Sequence, residues 1–214
     1  MPTTPKGVFY PDGTWTFPPG FSGEGGAFET MAESVDAALT NRTVDLIGTY
    51  TNASVTNMAQ FSDIPATYEN LILMWEGRIE NQASSYASLL MRFNGDGGTN
   101  YWASRFAIVS DSTPAFANGS AYANVSGLTP GLVGPQASSG IVYIGRYTRA
   151  ISKSAWGHGI ARIGTGQSAA NHRLHQGLGV WNNTATITSV RFWPSGEDWA
   201  AGLRATLLGT PRVN

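Results

Sequence analysis

The 214-residue chain has no cysteine, which removes disulfides and thiolate-held metals from its repertoire. Charge is scarce as well: charged residues are 13 % of the chain and the formal net charge is −1. Arginines and acids are scattered, so there is no basic footprint for nucleic acid, and an anionic membrane is an equally poor partner. No stretch approaches the ~20 apolar residues of a membrane span. The opening MPTTPKGVFYPDG has neither the apolar segment nor the cleavage site of a secretion signal, so the chain is expected to be made in a cytoplasm and to stay soluble. Catalytic signatures are missing too. There is no GxSxG elbow and no P-loop, and the glycines of Gly159 to Gln167, GIARIGTGQ, lack the Lys-Ser/Thr of a phosphate cradle and read as a turn.

What is abundant is Gly, Ser, Thr and Asn, a composition that suits many short strands and turns rather than a helical enzyme or a coiled-coil rod. Turn signals separate strand-like runs at Asp45 to Tyr50, Ser54 to Phe61, Asn70 to Glu80, Ala87 to Phe93, Tyr101 to Val109, Gly140 to Tyr147, Ser154 to Ile163, His175 to Trp181, Thr186 to Trp193 and Leu203 to Leu208. Leu71 to Trp75 and Leu89 to Phe93 read as the two strands of a core hairpin, closed by Asn94 to Gly98, whose residues tolerate positive φ. In the first run both faces are apolar, which predicts a central strand covered on both sides. Residues 110 to 138 show no clean period and read as the longest loop. The expected fold class is all-β, a jelly-roll-like antiparallel β-sandwich, over residues 44 to 214.

Ahead of it, residues 1 to 43 read as an extended arm and one short α-helix. The arm to residue 26 holds five of the 11 prolines, interleaved with Phe9, Tyr10, Trp15, Phe17 and Phe21. Prolines at that density prevent a helix or a central strand, and aromatics on a free tail invite aggregation, so the arm is expected to lie against another surface. From Gly26 to Thr40, Phe28, Met31, Val35 and Leu39 fall on one helical stripe. A stripe of about four turns is marginal alone in water and must dock on something. These nine apolar residues are the expected assembly interface.

Several of these segments resemble a β-sandwich module of tailed-bacteriophage virion proteins: FSDIPATYENLILMWEGR, LLMRFNGDGGTNY, IVYIGRYT and ITSVRFWPSGEDWAAGLRATLLGT. The positions that carry the likeness are Ile64, Pro65, Tyr68, Leu71, Arg92, Phe93, Asn94, Asp96, Asn100, Tyr101, Ile187, Ser189, Phe192, Pro194, Gly196, Thr206, Leu207 and Gly209. Separately, the PTTPKG…YPDG opening and the ETMAESVDAAL helix resemble the start of minor tail proteins of actinobacterial phages. The resemblance implies a non-enzymatic structural protein at or near the tail tip, in the virion after synthesis in the host cytoplasm. It further implies a homo-oligomer, a trimer in the simplest packing, in contact with other tail proteins and with host cell-wall glycan. A capsid decoration or head-fibre protein and a carbohydrate-binding module are the alternatives.

No residue reads as catalytic and no cofactor is called for. His172 and His175 are three apart in a strand-like segment and so face opposite ways, which disfavours a metal pair; surface or interface histidines are the better expectation. Asp96 is a lone carboxylate among Asn94 and Asn100, better suited to pinning a turn than to holding calcium. Glu76, Glu80, Glu197 and Asp198 offer carboxylates without an apolar pocket to tune them. Of the tryptophans, Trp102 and Trp199, flanked by small or polar residues, are expected at the surface as ligand contacts, and the others in the core.

Overall fold

The computed structural model describes residues 44–80, 87–108, 115–128, 138–162 and 172–212. The expected arm and helix, with Phe9, Tyr10, Trp15, Phe17, Phe21, Phe28, Met31, Val35 and Leu39, lie outside them. Among the described residues the regular elements are all strands: β1 (Asp45–Thr51), β2 (Ala59–Phe61), β3 (Tyr68–Gly77), β4 (Ala87–Phe93), β5 (Tyr101–Ile108), β6 (Ala115–Ser120), β7 (Ala123–Leu128), β8 (Ser138–Gly145), β9 (Lys153–Arg162), β10 (His172–Trp181), β11 (Val190–Pro194) and β12 (Arg204–Pro211). They form an eight-stranded sheet of order β1-β12-β3-β8-β9-β10-β5-β6 and a four-stranded sheet of order β2-β11-β4-β7. Val44–Thr210 make up one compact unit.

Alternation along the strands builds the core. Leu71, Leu73 and Trp75 of β3, Val142 and Ile144 of β8, and Leu89, Met91 and Phe93 of β4 are all buried in one cluster with Val190, Phe192 and Leu207. Phe93, from the smaller sheet, packs at 5.6 Å from Trp181 and 6.2 Å from Tyr101, both from the larger one. The two sheets therefore share their apolar faces.

The larger sheet is thinnest where the smaller one comes nearest. Along β9 and β10 the inward positions are Ala155, Gly157, Gly159, His175, Gly177 and Gly179, all buried. A Cβ on Gly157 would strike the Val125 carbonyl oxygen of β7, and one on Gly179 would strike the Ala123 side chain. Glycine is favoured at 157 because a backbone carbonyl, and at 179 because the Ala123 methyl group, stands where a side chain would go.

Several expectations are corrected. β3 and β4 do not form a hairpin: β3 sits between β12 and β8 in one sheet, β4 between β11 and β7 in the other. Residues 78–86 separate them, more than the two to five residues of a tight hairpin loop, and the chain uses that length to change sheets. β3 is central but not covered on both sides, since Met74 on its outer face is 48 % exposed. The span 110 to 138 is not all loop. It contains β6 and β7, whose Ala, Gly, Ser and Asn residues carry too little hydrophobic contrast to show a period. Regular pairing in β2 and β11 starts only at Ala59 and Val190, later than the runs from Ser54 and Thr186 suggest.

Candidate functional site

The residues that carry the phage resemblance turn out to be fastenings. Asn94, which follows β4, accepts hydrogen bonds at Oδ1 from the backbone N–H groups of Thr188 (2.8 Å) and Ser189 (3.1 Å), and its Nδ2 donates to the Thr186 carbonyl at 2.8 Å. One side chain thus ties the RFN turn to the ITS segment. The Tyr147 hydroxyl donates to the Pro65 carbonyl, and the Ile64 N–H to the Thr188 carbonyl at 3.0 Å. The Tyr68 ring lies flat on Gly209, where any Cβ would collide with it.

Asp96 is the most heavily used of them. Its Oδ1 accepts from the Gly98 N–H at 2.9 Å, and its Oδ2 from Asn100 Nδ2 at 3.0 Å and from Trp181 Nε1 at 2.7 Å. Trp181 stacks on Tyr101 at 6.3 Å and 17°, so the carboxylate anchors the loop to the aromatic core. Burial raises the Tyr101 phenol well above its ordinary range, and its hydroxyl accepts the Phe93 N–H at 3.0 Å. A cation would have to displace N–H donors from both Asp96 oxygens, so the residue is built as a turn anchor. The Trp181 bond, then those from Asn100 and Gly98, hold the Asp96 carboxyl below its ordinary value of 3.8. Its contribution is therefore complete above that value and is lost as pH falls through the lower folded value. Asp96→Asn is expected to cost about 1 kcal/mol at neutral pH. In denaturant melts against pH, its difference from wild type should shrink below pH 3.8. A gap constant down to strong acid would refute the charge-based account.

The first surface feature is the outer face of the eight-stranded sheet. Ile72, Tyr143, Trp156 and Leu178 are register partners in turn across β3, β8, β9 and β10, and Met74, Ile141, His158 and Gln176 form the next row. Tyr143 and Trp156 stack at 5.6 Å and 22°, with His158 tilted against Trp156 at 5.3 Å. Trp156 is 42 % exposed, while Ile160 and Trp102 are each 57 % exposed. Trp102, opposite Val180 on β5, extends the same face. Expected exposure holds for Trp102 and fails for Trp199, which is 0 % exposed between Trp75 and Phe192. Asp198 and Ala200, which flank Trp199, say nothing of its burial, because isolated bridges to Thr56 and Ile79 pull it inward.

Sequence reasoning missed Tyr143 and Trp156. In SAWGHGIAR the two alternating sets are Trp, His, Ile and Ala, Gly, Gly, and hydrophobicity alone would turn the first set inward. The glycines are inside instead, because β7 lies against them. His175, expected at a surface, is also buried among these inward positions, whereas His158 lies on the outer face. Among the described residues no group of three His, Cys, Asp or Glu could hold a metal.

The second feature is a shallow cleft of about 410 Å³ on the outer face of the four-stranded sheet. Gln60, Arg191 and Arg92 are register partners across β2, β11 and β4, and the two arginines form its floor with Trp193. The Arg92 guanidinium lies 5.1 Å over the Trp193 ring, and Arg92 Nε donates to the Ala121 carbonyl at 3.0 Å. Arg191 Nε donates to Gln60 Oε1 at 3.0 Å. Asn57, Met58, Glu80, Glu197 and Asp198 stand around the rim. Three of the four acids singled out in the sequence thus gather here, while Glu76 lies on β3 in the other sheet.

Compared with protein-family models, curated proteins and solved structures, the chain matches none.

Proposed function

We propose that this chain is a non-enzymatic structural protein of a tailed-bacteriophage virion, a minor tail protein at or near the tail tip, working as a homo-oligomer. The observation that carries the assembly part is the bare apolar face of the eight-stranded sheet. At ordinary strand spacing, the two central rows across four strands cover about 20 Å by 14 Å, on the order of 280 Å² in projection. That approaches the size of the largest apolar patch soluble monomers usually expose. Its central rows, Ile72-Tyr143-Trp156-Leu178 and Met74-Ile141-His158-Gln176, carry no carboxylate, lysine or arginine. An uncharged strip of this kind is complementary to itself, as a symmetric contact requires, so its partner is a second copy of the chain. Residues 1 to 43, with Phe28, Met31, Val35 and Leu39, would add a second contact between copies.

The strand pairing supports a jelly-roll sandwich for the same module. β1 pairs with β12, β2 with β11, β3 with β8 and β4 with β7, the nested order of one long hairpin rolled up, with β5-β6 and β9-β10 as additions. Viral coat proteins commonly use this architecture. The phage role itself rests on the sequence resemblance, several of whose matching residues, Asn94, Asp96 and Gly209 among them, act as fold determinants.

Light scattering on the full chain tests the assembly. The expected result is an oligomer at micromolar concentration, and a monomer once Trp156→Glu and Leu178→Glu are combined, with an unchanged melting temperature because both residues are exposed. A monomeric wild type, or an oligomer indifferent to both substitutions, would overturn it. A particle reconstruction that places the chain elsewhere than the tail would overturn the location.

A further inference from the structure

The cleft over Arg92, Arg191 and Trp193 plays no part in that assembly. Its floor carries two arginines directly opposite each other on adjacent strands, a like-charge arrangement that weakens a sheet unless something else is gained. Each is held through its Nε, Arg92 by the Ala121 carbonyl and Arg191 by Gln60, so the outer ends of both guanidiniums remain to line the cleft. Among the described residues no ion pair joins them to Glu80, Glu197 or Asp198 around the rim.

We propose that this cleft binds a neutral saccharide, as a stretch of glycan chain lying across the four-stranded sheet. The lining decides the ligand class. Guanidiniums only donate hydrogen bonds and carboxylates only accept them, whereas a sugar hydroxyl does both and can bridge the two kinds of group. Two arginines against three acids leave no excess of positive charge to hold a polyanion. A cation is no better served, because the guanidiniums occupy the floor and the acids stand apart around it. The half-buried Trp193 indole, with the Arg92 guanidinium 5.1 Å over its ring and Tyr122 against it at 6.1 Å, lines the cleft together with Met58 and Pro194 and adds apolar surface for the C–H groups of a sugar ring. A volume of about 410 Å³ with an open mouth suits one or two rings of a longer chain rather than an enclosed small molecule. Repetition of the cleft in an oligomer would raise the avidity of a weak single site.

The test uses the full chain on an array of neutral oligosaccharides built from glucose, galactose, mannose and N-acetylglucosamine, with sialylated and sulfated glycans alongside. The best binder is then followed by calorimetry. The expected result is binding to at least one neutral series, weakened about tenfold or more by Arg191→Met and by Glu197→Gln, each a change of more than ~1.4 kcal/mol. Arg191→Met relieves the like-charge contact with Arg92 and Glu197 lies on the surface, so neither variant should melt below wild type, and Trp193→Ala serves as a third variant. Trp102→Ala, on the opposite sheet, should leave the single-site affinity unchanged. So should the combined Trp156→Glu and Leu178→Glu variant, which separates failure of this site from failure of the assembly. No neutral glycan bound at millimolar ligand, binding to charged glycans alone, or affinity indifferent to Arg191→Met and Glu197→Gln would each overturn the proposal.

Discussion

Trp199→Ala is expected to lower the unfolding free energy by about 3 to 5 kcal/mol, the largest single-residue effect in the described core. The indole is wholly buried, packed 6.1 Å from Trp75 and 6.1 Å from Phe192. Its backbone also bridges Thr56 and Ile79, so the ring fills the space where chain segments from both ends of the sequence converge. Truncation leaves a cavity that these segments cannot close without giving up their backbone bonds, among them Trp199 N–H to the Thr56 carbonyl at 2.7 Å. For a domain of this size the melting temperature should fall by roughly 6 to 20 °C. Trp199→Phe separates shape from polarity. The buried Nε1 has no hydrogen-bond partner among the described residues, so removing it forfeits no bond, and the cost should stay under about 1.5 kcal/mol. Thermal melts of the two variants measure this. An alanine variant that loses less than ~1 kcal/mol would mean that the core does not depend on this residue.

The second large effect concerns Gly179. Its φ lies outside the left-handed region, so alanine meets no dihedral objection, and the main obstacle is the Ala123 Cβ where the new Cβ would fall, with the Ala123 Cα behind it at 3.2 Å. Gly179→Ala should therefore cost about 2 to 3 kcal/mol, at the upper end for one added methyl group. Ala123→Gly removes the atom in the way. Combined with Gly179→Ala it should recover most of that loss, giving a coupling energy above ~1 kcal/mol in a double-mutant cycle. Additive effects would mean that the sheets do not meet at this pair. The cycle bears on function as well, because close approach of β7 is what turns Trp156 and Leu178 toward solvent.

Much of the architecture could be read from alternation. Ala87–Phe93 is found with the predicted bounds, and the starts of β1 and β5 are likewise as expected, because each strand sets large apolar residues against polar or small ones. Asp96 as a turn anchor was legible too, since Asn and Asp among glycines bond their own backbone. Legibility stopped where the contrast disappeared. β6 and β7 are built of small residues, so neither face stands out, and the outward Trp156 and buried Trp199 were assigned to the wrong sides. The cleft was half visible: Glu80, Glu197 and Asp198 drew notice as acids, Arg92 only as part of the RFN turn and Trp193 only as one of the tryptophans, and nothing joined them to Arg191, because β4 and β11 lie about 100 positions apart.

The sequence by itself determined that the domain from residue 44 is all-β over its described residues, where most of its strands lie, and which turns need Asn, Asp or Gly, because these follow from period-two burial and from the φ angles each residue tolerates. Only the tertiary structure decided which strands share a sheet and which way the mixed faces turn. Both depend on what packs opposite. Glycines at 157 and 179 face inward because β7, through the Val125 carbonyl and the Ala123 methyl group, occupies the space beside them, and no local pattern can announce a neighbour that arrives from elsewhere in the chain.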